Sequence, residues 1–140
     1  MNPLYTTSAT STGEGRNGRS RTNDGMLDVG LAVPTEMGGP GGGTNPEQLF
    51  AAGYAACFHS ALKGVARQKQ AAVTDSAVTA DVHMSKNDDC GFQLAVNLSV
   101  EMGGVEQETA EDLTAAAHKV CPYSNATQNN IDVTLETTTA

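Results

Sequence analysis

Cys57 and Cys121 are the residues of this chain best suited to chemistry. Cys57 lies in an apolar run of small residues, LFAAGYAACFHSAL, and Cys121 opens CPYSNA, where a helical pattern meets a proline. They stand 64 positions apart. A fold that brings them together makes a two-cysteine redox site. A fold that does not leaves two small buried hydrophobes. The third cysteine, Cys90, follows Asp88 and Asp89 in a polar segment, where acidic neighbours disfavour its thiolate. Positions 57, 90 and 121 are too scattered for a local metal knuckle.

The elements that must position these thiols can be read along the chain. Residues 3–12 carry a strand signal, and GEGRNGR (13–19) reads as a turn, with Asn17-Gly18 as the hairpin dipeptide. MLDVGLAV (26–33) is the expected return strand, and PTEMGGPGGGTNPEQ (34–48) a glycine-rich loop. A helix starts at its end, with Asn45 or Thr44 as N-cap, Pro46 at the first helical position and Glu47 near the positive end of the dipole. This helix runs to about Gln70. One face carries Phe50, Tyr54, Cys57, Ala61 and Val65, but Leu49, Ala52, Ala56 and Leu62 make it apolar on most sides. Such a helix belongs at the centre of a fold. Alternation predicts strands over 75–85 and 91–101, joined by an Asn87–Gly91 turn, then a helix over 105–119 and a strand over 131–138. The order ββαββαβ points to an α+β fold.

The whole chain, 1–140, fits one domain able to bury a core. With three Phe, three Tyr and no Trp, that core must rely on Ala, Val and Leu. A net charge of −8 argues against a nucleic-acid groove or a binder of anionic membranes. The first ten residues show neither a basic n-region nor an apolar h-region, and no stretch approaches the roughly 18 apolar residues of a membrane span. The expected address is the cytoplasm, where a disulfide is more often transient and catalytic than structural.

Four segments carry a resemblance: GEGRNGR, GGPGGGTNPEQLFAAGYAACF, AHKVCPYSNAT and NIDV. In order and spacing the chain resembles the organic hydroperoxide resistance proteins of the OsmC/Ohr superfamily. The resemblance implies an OsmC-like α+β fold, an intertwined homodimer with two active sites at the subunit interface, and thiol-dependent reduction of organic hydroperoxides. It implies no bound cofactor, and dihydrolipoyl groups as the external reductant. Carried over residue by residue, Cys57 is the peroxidatic cysteine, Cys121 the resolving one, Arg16 the arginine of the glycine-rich turn and Glu47 the glutamate of NPEQLF. The family turn commonly reads Gly-Arg-Asp-Gly, whereas here Asn17 takes the aspartate's place. Cys90 has no counterpart.

The residues support that chemistry. A thiolate attacks a peroxide oxygen and becomes a sulfenic acid, yet an apolar helix raises a thiol's pKa. No Lys or Arg lies in 46–62, so a cation must come from elsewhere. Arg16, in its glycine-rich turn, can stabilise a thiolate and hydrogen-bond a peroxide, and Glu47 can hold it by a bidentate pair. Glu47 and Cys57 are ten residues apart, roughly 15 Å along a helix axis. Either the long Arg16 side chain spans part of that gap or Glu47 comes from a second subunit. Resolution then joins Cys57 to Cys121, and a dithiol reopens the bond. An apolar lining from Phe50, Tyr54, Phe58, Met37 and Tyr123 is expected to favour alkyl or aryl hydroperoxides.

His59, His83 and His118 have no metal-ligand pattern around them and read as structural. The glycine run 38–43 lacks the Gly-Lys-Ser/Thr ending of a phosphate loop. A non-enzymatic thiol sensor is the rival reading from another class, but this acidic chain has no spare segment for a DNA-binding or partner domain.

Overall fold

The computed structural model describes residues 2–140. By its contacts the chain divides into two compact units, Met1–Leu49 and Phe50–Ala140.

The first unit is built on a small antiparallel sheet, β1 (Ala9–Thr12), β2 (Arg19–Thr22) and β3 (Asp28–Gly30), in the order β1-β2-β3. The expected hairpin is present, but its parts are distributed differently. The strand signal of 3–12 becomes a strand only over Ala9–Thr12, and its partner is β2, which pairs Thr12 with Arg19. The segment read as the return strand supplies β3, which pairs with β2. The turn also differs. Asn17 closes a 3-10 turn, Gly15–Asn17, and Gly18 has φ −112°. The positive φ values fall on Gly13 and Gly15 instead. Gly18 is needed for space, since a Cβ there would stand 2.1 Å from the Thr12 carbonyl oxygen. Asn17 adds a side-chain contact to its place in the turn. Its Oδ1 accepts the Val33 N–H at 2.9 Å, which an amide oxygen does as well as a carboxylate. The loop after Val33 folds back on 30–33 through a Leu31–Thr44 bridge, and Gly39 leaves room for it, since a Cβ there would stand 2.2 Å from the Val33 carbonyl oxygen. Of the two cap candidates, Asn45 takes the role: its Oδ1 accepts the Gln48 N–H at 2.9 Å, at the start of α1 (Pro46–Gln68).

The second unit has its own three-stranded sheet. β4 (Ser76–Lys86) and β5 (Phe92–Met102) form an antiparallel ladder from Ser76–Met102 to Lys86–Phe92. β6 (Val133–Thr139) lies parallel to β5, pairing Val133 with Val96. A parallel neighbour cannot be reached by a tight turn. The connection here is two helices, α2 (Gln107–Val120) and α3 (Pro122–Thr127). β5 alternates as its sequence predicts, burying Val96, Leu98, Val100 and Met102. α2 offers Ala110, Leu113, Thr114 and Ala117, the i, i+3, i+4, i+7 stripe of an amphipathic helix. Against these, α1 buries Tyr54, Phe58, Leu62, Val65 and Ala66. Each large side chain in this cluster contributes roughly 1.5–3 kcal/mol by leaving water. α1 buries one stripe, while Ala52 and Ala56 on its other sides are exposed. The α+β class and the long helix stand as expected, and the predicted order gains one strand, β2, and one helix, α3. Among the described residues, no helix is long and apolar enough to cross a membrane.

Candidate active site

The second unit holds both cysteines. Cys57, in the middle of α1, and Cys121, between α2 and α3, are brought together with their sulfurs 3.4 Å apart, and the Cys121 thiol donates to Cys57 Sγ. Both are free thiols. Cys121 is fixed by its backbone: its N–H donates to the Ala117 carbonyl at 2.9 Å, ending α2, and its carbonyl accepts the Asn125 N–H at 3.0 Å, starting α3. Pro122 follows at the first position of α3, where its missing N–H costs nothing. The two thiols differ in access. Cys121 is fully buried, whereas Cys57 is partly exposed.

The electrostatics of Cys57 are opposed. Burial pushes its thiol up, and the neighbouring Cys121 also favours the protonated form. The Tyr123 backbone N–H, in the first turn of α3, is directed at the sulfur and favours the thiolate. Burial dominates, so these surroundings by themselves do not make Cys57 a ready nucleophile. Cys90 sits exposed in the β4–β5 turn at φ +63°, where the Asn87 side chain accepts the Asp89 and Gly91 N–H groups.

Beside the thiols runs a chain of buried hydroxyls that the sequence reading passed over. Tyr54 Oη lies 2.8 Å from Ser124 Oγ and 3.1 Å from Thr127 Oγ1. Ser124 Oγ lies 2.8 Å from His118 Nδ1. Burial lowers the His118 pKa, which favours the neutral imidazole. The available signal was chemical: a tyrosine in the buried stripe of an apolar helix must find a partner for its hydroxyl.

Tyr54 and Phe58 are wholly buried, which corrects their expected place in the substrate lining. Phe50 and Tyr123 do face a groove of about 740 Å³, together with Phe92, Leu94 and Ile131. The Phe50 and Tyr123 rings lie 6.0 Å apart, and Tyr123 packs 5.6 Å from Tyr54. Gly53 makes room for this, because a Cβ there would stand 2.7 Å from the Tyr123 hydroxyl. Tyr123 thus faces the groove with its ring and Cys57 with its N–H. Met37 belongs to the first unit and is 45% exposed.

The first unit carries the other two expected residues as a pair. Arg16, in the 3-10 turn, grips Glu47, in the first turn of α1, by two parallel bonds of 3.0 and 2.8 Å. The guanidinium holds the Glu47 carboxyl below its usual range, and Arg16 is raised in return. A carboxylate depressed in the folded state stabilises above its unfolded pKa, about 4.3. That stabilisation is lost as pH falls through the lowered folded value. Arg16 is 39% exposed, so solvent limits the pair to about 1 kcal/mol or less. Glu47→Gln is therefore expected to cost at most about 1 kcal/mol in urea melts at neutral pH. The difference from the parent should shrink as pH falls below about 4.3 and vanish only below the lowered folded-state pKa of Glu47. An undiminished difference in acid would show that the carboxylate charge is not what stabilises.

The sequence profile of OsmC-like proteins matches residues 39–136. The organic hydroperoxide resistance protein of Xanthomonas axonopodis pv. citri is 48% identical over 134 residues, 94% of this chain and 93% of that protein. Among solved structures, an organic hydroperoxide resistance protein of Legionella pneumophila superposes with a TM-score of 0.95 at 50% identity, covering 98% of this chain and 99% of that one. A similar protein of Vibrio cholerae, described as putative and carrying captopril in one of its active sites, gives 0.92 at 48% identity, covering 98% and 94%.

Proposed function

The chain belongs to the organic hydroperoxide resistance proteins of the OsmC-like family, and on that premise we propose that it is a thiol peroxidase that reduces organic hydroperoxides to alcohols. The observation that carries this reading is the pair of sulfurs 3.4 Å apart, one reachable and one fully buried. The Cys57 thiolate attacks the outer oxygen of ROOH and the O–O bond breaks. The alkoxide leaves as ROH after taking a proton, and Cys57 becomes a sulfenic acid. The buried Cys121 thiol then attacks the Cys57 sulfur. The hydroxyl leaves with the thiol proton as water, and a Cys57–Cys121 disulfide forms. A dithiol of the dihydrolipoyl type reopens it by exchange and is itself oxidised to a disulfide.

Burial opposes the Cys57 thiolate, so the reaction needs a cation. We assign that role to Arg16, oriented by Glu47, because two parallel bonds fix the direction of a guanidinium that carries a permanent positive charge. We further assign the chain to a homodimer in the cytoplasm. The exposed Ala52 and Ala56 on the apolar helix α1 support a partner surface, and a reducing compartment suits a transient disulfide. The aromatic groove supports a preference for bulky alkyl or aryl hydroperoxides.

The test is turnover with dihydrolipoamide as reductant. An aryl or long alkyl hydroperoxide is expected to give kcat/KM at least roughly tenfold above hydrogen peroxide, since apolar contacts of this kind are worth about 1–3 kcal/mol. Arg16→Ala should lower that value in the same assay. No hydroperoxide-dependent oxidation of dihydrolipoamide would sink the proposal, and equal rates for both peroxides would remove its substrate preference.

A further inference from the structure

We propose that Tyr54 and Ser124 are positioning residues that clamp the two cysteines in register for disulfide closure. The inference rests on the peroxidase reading above and adds a residue pair to its second step. It comes from a coincidence of spacing. Tyr54 precedes Cys57 by three residues in α1, and Cys121 precedes Ser124 by three residues at the start of α3. Residues three apart on a helix lie on one face, one turn from each other. The structure bridges both rungs. Cys57 meets Cys121 at 3.4 Å, and Tyr54 meets Ser124 at 2.8 Å. Two facing segments joined at one rung can still pivot about it. Joined at two rungs, they cannot slide past each other without breaking a buried hydrogen bond.

With the Thr127–Ser124 carbonyl bond made, the protons of the hydroxyl chain take one order. Thr127 Oγ1 donates to the Ser124 carbonyl at 3.2 Å, so it accepts from Tyr54. With its proton so used, Tyr54 accepts from Ser124, and Ser124 in turn accepts from His118 Nδ1–H. Each hydroxyl donates once. α1, the last turn of α2 and α3 are thereby tied at one buried point, three residues beyond Cys121. Tyr54 and Ser124 are both fully buried, so no water can replace a lost partner without opening the core.

The clamp matters for one step. Attack of hydroperoxide on Cys57 needs only Cys57 and its surroundings. Closure needs the Cys121 sulfur to meet the Cys57 sulfenic acid, expelling water, before a second hydroperoxide oxidises Cys57 to the sulfinic acid. A small loss of alignment slows closure steeply, by a factor of 10² for about 1 Å.

Tyr54→Phe removes one oxygen and keeps the ring, and Ser124→Ala removes the other partner. In both, the first oxidation of Cys57 by an aryl hydroperoxide is expected within about twofold of the parent. Disulfide closure should slow about tenfold or more, and sulfinic acid should accumulate at high peroxide. Rates come from stopped-flow and products from intact mass, below the melting temperature of each variant. Thr114→Val is the control. It removes a buried hydroxyl elsewhere in the same unit, where Thr114 donates to the Ala110 carbonyl. It should cost stability without changing the partition between disulfide and sulfinic acid. Parent-like closure in both Tyr54→Phe and Ser124→Ala overturns the clamp, as does a partition that Thr114→Val shifts equally. A parent that forms no Cys57–Cys121 disulfide at all overturns the peroxidase reading itself.

Discussion

Cys57→Ser is expected to reduce hydroperoxide turnover by at least roughly 10³-fold, the scale on which loss of a nucleophile registers in other enzymes. Serine replaces sulfur by oxygen at nearly the same volume. Its hydroxyl is far less acidic than a thiol and cannot pass through a sulfenic acid. The substitution is mild for the fold. Cys57 is only partly buried, so the melting temperature should move little, and lost activity cannot be blamed on unfolding. Cys90→Ser is the companion control: Cys90 is exposed in the β4–β5 turn and should leave turnover unchanged. The measurement is dihydrolipoamide oxidation driven by an aryl hydroperoxide, together with thermal melts of the three proteins. Full activity in Cys57→Ser would remove the nucleophile from the proposed mechanism, and an equal loss in Cys90→Ser would point to the third cysteine instead.

Much of the fold is legible in the sequence, and the limits have physical causes. The start of α1 was legible because Asn45-Pro46-Glu47 states a cap, a first position and a dipole partner in three successive residues. β4 and β5 were legible because strict alternation leaves little choice of face. β2 was missed because RSRT contains no apolar residue. Its strand is specified by pairing with two neighbours and by the Arg19–Asp28 contact. α3 was missed because six residues are too few for periodicity to show. The meeting of Cys57 with Cys121 lay beyond local reasoning altogether. Nothing near either residue encodes a contact across 64 positions, and only the matched spacings of YAAC and CPYS hint at a shared face. Tyr54 shows the same limit. Its apolar ring placed it in a lining, whereas its hydroxyl, with partners 70 and 73 residues away, fixes it in the core.

Cys121→Ser should separate the two halves of the reaction rather than stop both. Cys57 keeps its exposure and its Tyr123 N–H, so the first equivalent of hydroperoxide is expected to be consumed at near the parent's rate. The serine hydroxyl occupies the position from which the Cys121 thiol donates to Cys57, so the fully buried site keeps a donor and a partner. No disulfide can follow. The Cys57 sulfenic acid then waits for an external thiol or a second hydroperoxide, and with excess peroxide it proceeds irreversibly to the sulfinic acid. Steady turnover should fall by about 10²-fold, because closure within the chain replaces an encounter from solution and that advantage is one of proximity. Rapid-mixing measurement of the first turnover, steady-state turnover with dihydrolipoamide and the mass of the product together distinguish the outcomes. A rapid first turnover, a lost steady state and an overoxidised Cys57 fit a resolving Cys121. Loss of the first turnover as well would make Cys121 part of the attack on the peroxide. Unchanged steady turnover would mean that the dithiol reduces the sulfenic acid directly, and that the 3.4 Å contact serves packing alone.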